Sequence, residues 1–327
     1  MESVVSETPI EVRTSLPPWL KWPGGKRDLA ELLVPEILAT RPTLYIEPFL
    51  GGGAIALALP AELPKIVSDV NPALIDCWLC VQKIPGALYA ELCNVEHQYH
   101  GIPEPADPTW LVRAREGFLA ARAEFNKMVH HPRPMWARRA ALFLFLNARC
   151  FNGLWRTNSK GLFNVPFGKR ENPVHFEAEA LARYTAHLNR TTIHNYGFAR
   201  TIGDEMTKRA RTVHRSGLRG IADMETCARG VAIYADPPYH ETFGDYAKDG
   251  FTDEDQRVLA TTLSSAAAMG AAVWTTNSDT PLIRELYAWA QIAEINEHHS
   301  IGSKAERRGK RTCLLIRGGD AEIARRL

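Results

Sequence analysis

In this chain of 327 residues, 39 lysines and arginines nearly balance 37 acids. A net charge of only +2 excludes a polycation, so any nucleic-acid surface must be a local patch. A hydrophobic share of 45% suits a soluble globular protein with core enough for one large or two ordinary domains. No apolar run approaches a membrane span, residues 1–18 lack the layout of a signal peptide, and six scattered cysteines suit a reducing cytoplasm.

Residues 1–18 read as a loosely held polar tail. In Leu20-Lys21-Trp22-Pro23-Gly24-Gly25-Lys26, the first glycine of a triphosphate-binding loop would fall at Leu20, and Arg27 stands where Ser or Thr is needed. A glycine turn flanked by Trp22 and Lys26 can still clamp an aromatic ring and a carboxylate. Leu29, Leu32, Leu33 and Ile37 then share one face of a predicted helix.

Residues 44–47 read as a strand, Pro48-Phe49-Leu50-Gly51-Gly52-Gly53 as a glycine turn, and 54–59 as a helix. A second strand at 65–68 ends at Asp69, eighteen residues after Gly51, about where α/β nucleotide sites place the acid that holds ribose hydroxyls. Gly51-x-Gly53-x-x-Ala56 also matches the dinucleotide fingerprint, so on these residues alone NAD remains open. Cys77-x-x-Cys80 has no second Cys or His pair at ligand spacing and sits in an apolar helical run, so core packing and no metal are expected.

Residues 72–170 turn helix-rich, with a core helix around Leu142, Phe143, Phe145 and Leu146. The stretch 149–170 holds five basic residues, four aromatics, three glycines and no acid. Asn158-Ser159-Lys160-Gly161 predicts a hairpin turn between two arms. Basic residues can neutralise phosphates, Asn and Arg can pair with base edges, and four aromatics would be wasted on a merely solvated loop.

A helix is expected over 174–189 and a third strand over 191–196, followed by a polar excursion at 199–229 without clear periodicity. The apolar run 231–235 then reads as a strand buried on both faces. It cannot continue past Asp236, because Pro237 and Pro238 donate no backbone N–H. A carboxylate on stiff backbone at the carboxyl end of a buried strand, followed by Tyr239, suits reaction at an exocyclic amino group of a planar heterocycle. The acid and a proline carbonyl can accept the amino hydrogens while the ring stacks. Residues 240–250 form a polar loop able to close over a ligand. A helix starting at Thr252-x-x-Asp255 runs to Met269 and stops at Gly270. A strand at 271–275 ends in Thr276-Asn277, 281–290 is helical, and 292–295 with 312–316 make a closing antiparallel pair. Between these last two lies a second basic loop with Lys304, Arg307, Arg308, Lys310 and Arg311.

Taken together, Lys21-Trp22-Pro23-Gly24-Gly25-Lys26, Glu47-Pro48-Phe49-Leu50-Gly51-Gly52-Gly53, Asn152-Gly153-Leu154-Trp155-Arg156 with Phe163-Asn164-Val165-Pro166-Phe167-Gly168, and Asp236-Pro237-Pro238-Tyr239 resemble, in order and spacing, the Dam-type DNA adenine-N6 methyltransferases of the alpha subgroup. Trp155, a long 199–229 stretch and a short loop after Tyr239 depart from the pattern. The resemblance implies an α/β fold: a doubly wound mixed sheet, Rossmann-like, mostly parallel with an antiparallel edge strand, carrying an inserted helical DNA-recognition domain and β-hairpin. Residues 19–75 and 171–327 would form the catalytic domain and 76–170 the recognition domain. S-adenosylmethionine would replace NAD, held by Trp22, Gly24, Lys26, Glu47, Pro48, Phe49, Gly51, Gly53, Asp69, Asn195, Tyr196 and Asp236. Asp236, Pro237, Pro238 and Tyr239 would hold a flipped adenine. Lys21, Asn152, Leu154, Arg156, Asn158, Pro166 and Lys169 would touch double-stranded DNA. No membrane and no obligatory protein partner are implied. An RNA or protein-glutamine N-methyltransferase shares the tetrapeptide, and a non-catalytic DNA-binding relative is the rival of another class.

Overall fold

The computed structural model describes residues 16–99, 109–129, 136–169, 177–215, 225–241, 250–298 and 310–321. Seven strands, β1 (Leu44–Glu47), β2 (Lys65–Ser68), β3 (Thr191–His194), β4 (Val231–Ala235), β5 (Ala272–Asn277), β6 (Gln291–His298) and β7 (Lys310–Gly319), form one sheet in the order β3-β2-β1-β4-β5-β7-β6. β1 to β5 pair in parallel, and β7 runs antiparallel to both β5 and β6. Every residue of β4 is buried, as its unbroken apolar run requires in a parallel sheet covered on both faces. Its side chains alternate: Ala232 and Tyr234 join one apolar cluster, Val231, Ile233 and Ala235 the other. The strand order reverses between β1 and β4, so their carboxyl ends open the crevice where such sheets take ligands.

Among the described residues the helices are α1 (Arg27–Ala39), α2 (Ala54–Ala58), α3 (Pro72–Lys83), α4 (Pro85–Gln98), α5 (Trp110–Lys127), α6 (Trp136–Arg149), α7 (Ala178–His187), α8 (Phe198–Arg215), α9 (Asp253–Ala268) and α10 (Pro281–Leu286). The first apolar cluster runs from α1 and α3 under the sheet into α4, α5 and α6 through Leu33, Trp78, Leu88, Phe118 and Phe145. The second joins α8, α9 and α10 to the opposite face through Ile202, Leu259 and Ile283. Helix starts follow local chemistry. Asn71 accepts the Ala73 and Leu74 N–H groups ahead of Pro72, and Thr280 accepts from Ile283 ahead of Pro281. Thr252 and Asp255 form a complete capping box, with Asp in the place usually given to Glu or Gln. Cys77 and Cys80 are buried within α3, matching the expected core packing.

Some expectations change. Residues 198–215 form helix α8 in place of an irregular excursion. Its buried stripe mixes Ile202 and Met206 with Thr201 and Glu205, so polar residues mask the helical period. Thr201 is matched by Ser68 at 2.6 Å and Glu205 by Arg209 at 2.9 Å. Leu32 is 43% exposed, off the buried face of Leu29, Leu33 and Ile37. The helix expected over 281–290 ends at Leu286, and the closing antiparallel pair extends over the longer β6 and β7. Most of the 240–250 loop, the start of the 174–189 helix, and Lys304, Arg307 and Arg308 lie outside the described residues.

Candidate active site

The glycine turn leaves β1 with Gly51 and Gly53 both in the left-handed region, at φ of 47° and 67°. Neither position has room for a side chain: a Cβ on Gly51 would lie 2.8 Å from the Trp22 ring, and one on Gly53 2.5 Å from the Trp78 ring. Trp78 Nε1 donates to the Gly51 carbonyl at 3.2 Å, fixing the turn from beneath. At the end of the neighbouring β2, Asp69 accepts the Gly51 N–H on Oδ2 at 3.0 Å and the Asn71 N–H on Oδ1 at 2.9 Å. Burial raises its pKa, while those donors pull the other way. Asn195 Nδ2 donates to the Asp69 carbonyl at 2.8 Å. Tyr196 stacks on His194 at 4.7 Å and lies under the Arg200 guanidinium at 3.7 Å. Phe49 packs against Phe198 at 5.5 Å and Phe251 at 5.6 Å. Glu47, grouped with the cofactor residues on sequence, turns inward. Its Oε2 accepts from Tyr45 at 2.9 Å and Ala56 N–H at 3.1 Å, and burial pushes its pKa up to about 8.

Across the crevice, Asp236 leaves β4 with Pro237 buried and Tyr239 half-buried. Its Oδ1 accepts from Thr276 on β5 at 2.8 Å and lies 3.2 Å from Lys26 Nζ. Lys26 is itself only 8% exposed. Its ammonium also donates to the Gly24 carbonyl at 3.1 Å and sits 4.8 Å from the centre of the Tyr239 ring.

A chain of amides holds the tetrapeptide in place. Gln256 Nε2 donates to the Pro238 carbonyl at 2.9 Å, and its Oε1 accepts from Asn277 Nδ2 at 2.9 Å. Asn277 Oδ1 accepts the backbone N–H of His240 at 2.9 Å and of Ser278 at 2.8 Å. His240 packs between Thr280, 2.8 Å from Nδ1, and Asp253, 3.2 Å from Nε2. Sequence reasoning gave Thr276, Asn277, Gln256 and His240 no role. The available signal was an apolar strand that passes into the polar run Thr275-Thr276-Asn277, all of which the structure buries in β5.

The expected hairpin forms. Asn158 Oδ1 accepts the Lys160 and Leu162 N–H groups at 3.0 and 3.1 Å, and bridges join Thr157 to Phe163 and Cys150 to Phe167. Asn126 of α5 pairs with both the Phe163 N–H and carbonyl, at 2.8 and 3.0 Å, as a strand neighbour would. Lys21, Arg156, Asn158, Pro166 and Lys169 are exposed, Asn152 and Leu154 half-buried. Arg156 Nε donates to Asn164 at 2.9 Å. Two readings of this stretch are corrected. Trp155 and Phe163 are buried and pack on Phe143 and Phe125, so these aromatics anchor the hairpin to α5 and α6. Arg149 is buried in an ion pair with Glu96 and belongs to the interior rather than to a phosphate surface.

These relationships define a doubly wound α/β protein with a crevice at its topological switch point and a proline-stiffened acid on the rim. The chain belongs to the D12 class N6 adenine-specific DNA methyltransferase family, whose model matches residues 22–210 and 222–301. It is 30% identical over 312 residues to the Type II methyltransferase M1.LlaDCHI of Lactococcus lactis subsp. cremoris, covering 93% of this chain and 96% of that one. It is 31% identical over 304 residues to the Type II methyltransferase M.MjaIII of Methanocaldococcus jannaschii, covering 89% and 94%. The DNA adenine methylase of Escherichia coli K12 is 29% identical over 302 residues, covering 91% and 93%. The chain is therefore an enzyme, an adenine-specific DNA methyltransferase. Among the described residues no helix is long and apolar enough to cross a membrane, and no group of three or more His, Cys, Asp or Glu is placed to hold a metal ion.

Proposed function

We propose that S-adenosylmethionine is the methyl donor, bound at the 51–53 turn, and that the acceptor is the amino nitrogen of an adenine extruded from duplex DNA onto Asp236-Pro237-Pro238-Tyr239. The observation that carries this reading is the Lys26–Asp236 contact, which joins the donor-side turn at 22–26 to the end of β4. The residues present fit the donor. Asp69 accepts the Gly51 N–H on Oδ2 and the Asn71 N–H on Oδ1, and an ionised carboxylate has lone pairs beyond these for a ribose diol. The left-handed glycines let the turn close tightly over the Trp22 and Trp78 rings next to Asp69. Trp22, Gly24, Lys26, Pro48, Phe49, Asn195 and Tyr196 border the same crevice in this reading, with Glu47 supporting it from inside. When bound, the donor supplies an electrophilic methyl carbon on a sulfonium.

The protein's share is orientation. Extrusion of the target base costs a few kcal/mol, about what stacking on Tyr239 and two amino-group hydrogen bonds can offset. Asp236, kept beside the Lys26 ammonium and the Thr276 hydroxyl, accepts one adenine N–H. The Pro237 carbonyl accepts the other. These contacts favour a pyramidal nitrogen with its lone pair aimed at the methyl carbon, and the surplus proton leaves after transfer. Lys21, Asn152, Leu154, Arg156, Asn158, Pro166 and Lys169 are assigned to the duplex. Residues 76–170 act as the recognition domain and 19–75 with 171–327 as the catalytic domain, behind the 1–18 tail. The cytoplasm is the compartment this chemistry suits.

Radiolabelled S-adenosylmethionine offered to the full chain with duplex DNA, RNA and protein side by side tests the reading. Label on adenine N6 of duplex DNA is expected, abolished in Asp236→Ala. Label confined to RNA or protein, or undiminished transfer by Asp236→Ala, would overturn it.

A further inference from the structure

The carboxyl end of α6 reaches both the hairpin and the donor-side turn. Asn147, 3% exposed there, accepts the Lys21 N–H on Oδ1 at 3.2 Å and donates from Nδ2 to the Lys21 carbonyl at 2.9 Å. The same Nδ2 lies 3.4 Å from the Gly153 carbonyl at the base of the hairpin. Gly153 is left-handed, at φ of 66°, and a Cβ there would lie 2.6 Å from the Lys21 side chain. A second contact runs in parallel. Trp22, next to Lys21, packs 6.3 Å from Trp155, which in turn lies 4.6 Å from Phe163 in the other hairpin arm. At the far end of the same short turn, Lys26 meets Asp236. Packed atoms therefore connect the hairpin to the reacting end without a gap.

We propose that Asn147 is a positioning residue that locks the hairpin to the 22–26 turn, so that duplex binding and donor binding are energetically coupled. A wrong duplex sequence then costs turnover as well as affinity. A buried amide satisfied on both its oxygen and its nitrogen by the main chain of one neighbour holds a single geometry, so a displaced hairpin carries Lys21 with it. Coupling of this kind is reciprocal: whatever factor the duplex adds to donor affinity, the donor adds to duplex affinity. The inference rests on the proposed roles of the hairpin and the turn.

The test uses the full chain and a duplex whose target is identified by sequencing methylated adenines in DNA from an expressing cell. Calorimetry measures S-adenosylhomocysteine affinity alone and with saturating duplex, and the ratio is the coupling. The second readout is the kcat/KM ratio between that duplex and single-base variants. In Asn147→Ala both ratios are expected to fall about fivefold or more, within the usual range of coupling, while S-adenosylhomocysteine affinity alone changes little. Asn147→Asp keeps the shape and the acceptor for Lys21 N–H but loses the donor. It should move both ratios the same way, and it serves if the alanine variant fails to fold. Gln82→Ala loses bonds to the Leu188 and Thr191 carbonyls on the β3 side of the sheet, at 2.8 and 2.7 Å, and should leave both ratios unchanged. Unchanged ratios in a folded Asn147 variant, an equal fall in Gln82→Ala, or no coupling in the unmodified protein would each overturn the proposal. Failure of the unmodified protein to bind S-adenosylhomocysteine at all would instead overturn the assignment of the donor site, and this proposal with it.

Discussion

Lys26 and Asp236 meet at 3.2 Å although one precedes the first helix and the other ends the fourth strand. The ammonium beside the acid favours the charged acceptor that the proposed grip on an adenine amino group calls for. Replacing Lys26 with Met should lower single-turnover methylation by about a hundredfold or more, the scale of losing one preorganised charged group. Lys26→Arg should not restore it, since a planar fork cannot take the place of a point charge sited between Asp236 and the Tyr239 ring. Near-normal turnover in Lys26→Met would reduce the pair to packing.

The amide relay makes a second expectation. Asn277→Ala and Gln256→Ala each strand the other amide in the interior, at a cost of about 1–3 kcal/mol, and each frees the Pro238 carbonyl or the His240 N–H. Urea unfolding of both single variants and of the double variant should show a double cost smaller than the sum, because one relay is broken only once. Turnover should fall in all three. Strictly additive costs would mean that the two amides act independently.

Glu47 predicts a pH dependence of stability. Its pKa rises from 4.5 unfolded to about 8 folded, mainly through burial. Between those values the folded state binds the extra proton, so this group's contribution is complete below about 4.5 and is lost as pH rises through about 8. Glu47→Gln, which keeps the shape without the titration, should therefore flatten the fall in Tm between about pH 4.5 and about 8. An identical pH slope in the two proteins would show that Glu47 is ionised throughout.

Basic residues of the 149–169 stretch should separate into two kinds. Arg149→Met removes a buried guanidinium from half-buried Glu96 and should cost about 1–3 kcal/mol of stability, while the salt dependence of DNA binding stays the same. Lys169→Ala should leave stability alone and reduce the slope of log affinity against log salt by about 1. Fluorescence anisotropy across a salt series with thermal melts distinguishes them, and exchanged behaviour would reverse both assignments.

Why some of this was legible in the sequence follows from where the partners sit. The β4 run and its proline stop depend on neighbours in the chain, as do the Asn158 turn, the Thr252 cap and the glycine turn after β1. All of these could be read from local pattern. The fate of Trp155 and Phe163 depends on Phe125 and Phe143, which arrive from α5 and α6, so surface and core destinations looked alike. Helix α8 was missed because Thr201 and Glu205 occupy buried positions that a pattern search reserves for apolar residues. The Gln256–Asn277 relay was hidden for a related reason: each amide is unremarked within its own element and gains meaning only across the gap to the other.

β1 and β4 are hydrogen-bonded neighbours, yet most of the helical region and the whole hairpin are spelled between them in the chain. The spacing of the two chemical halves is thus set by a sheet register that does not depend on the length or wording of the intervening text. In the proposed division of labour, a different reader of DNA spliced in between would aim the same reaction at a new word, provided the amide that grasps Lys21 is kept.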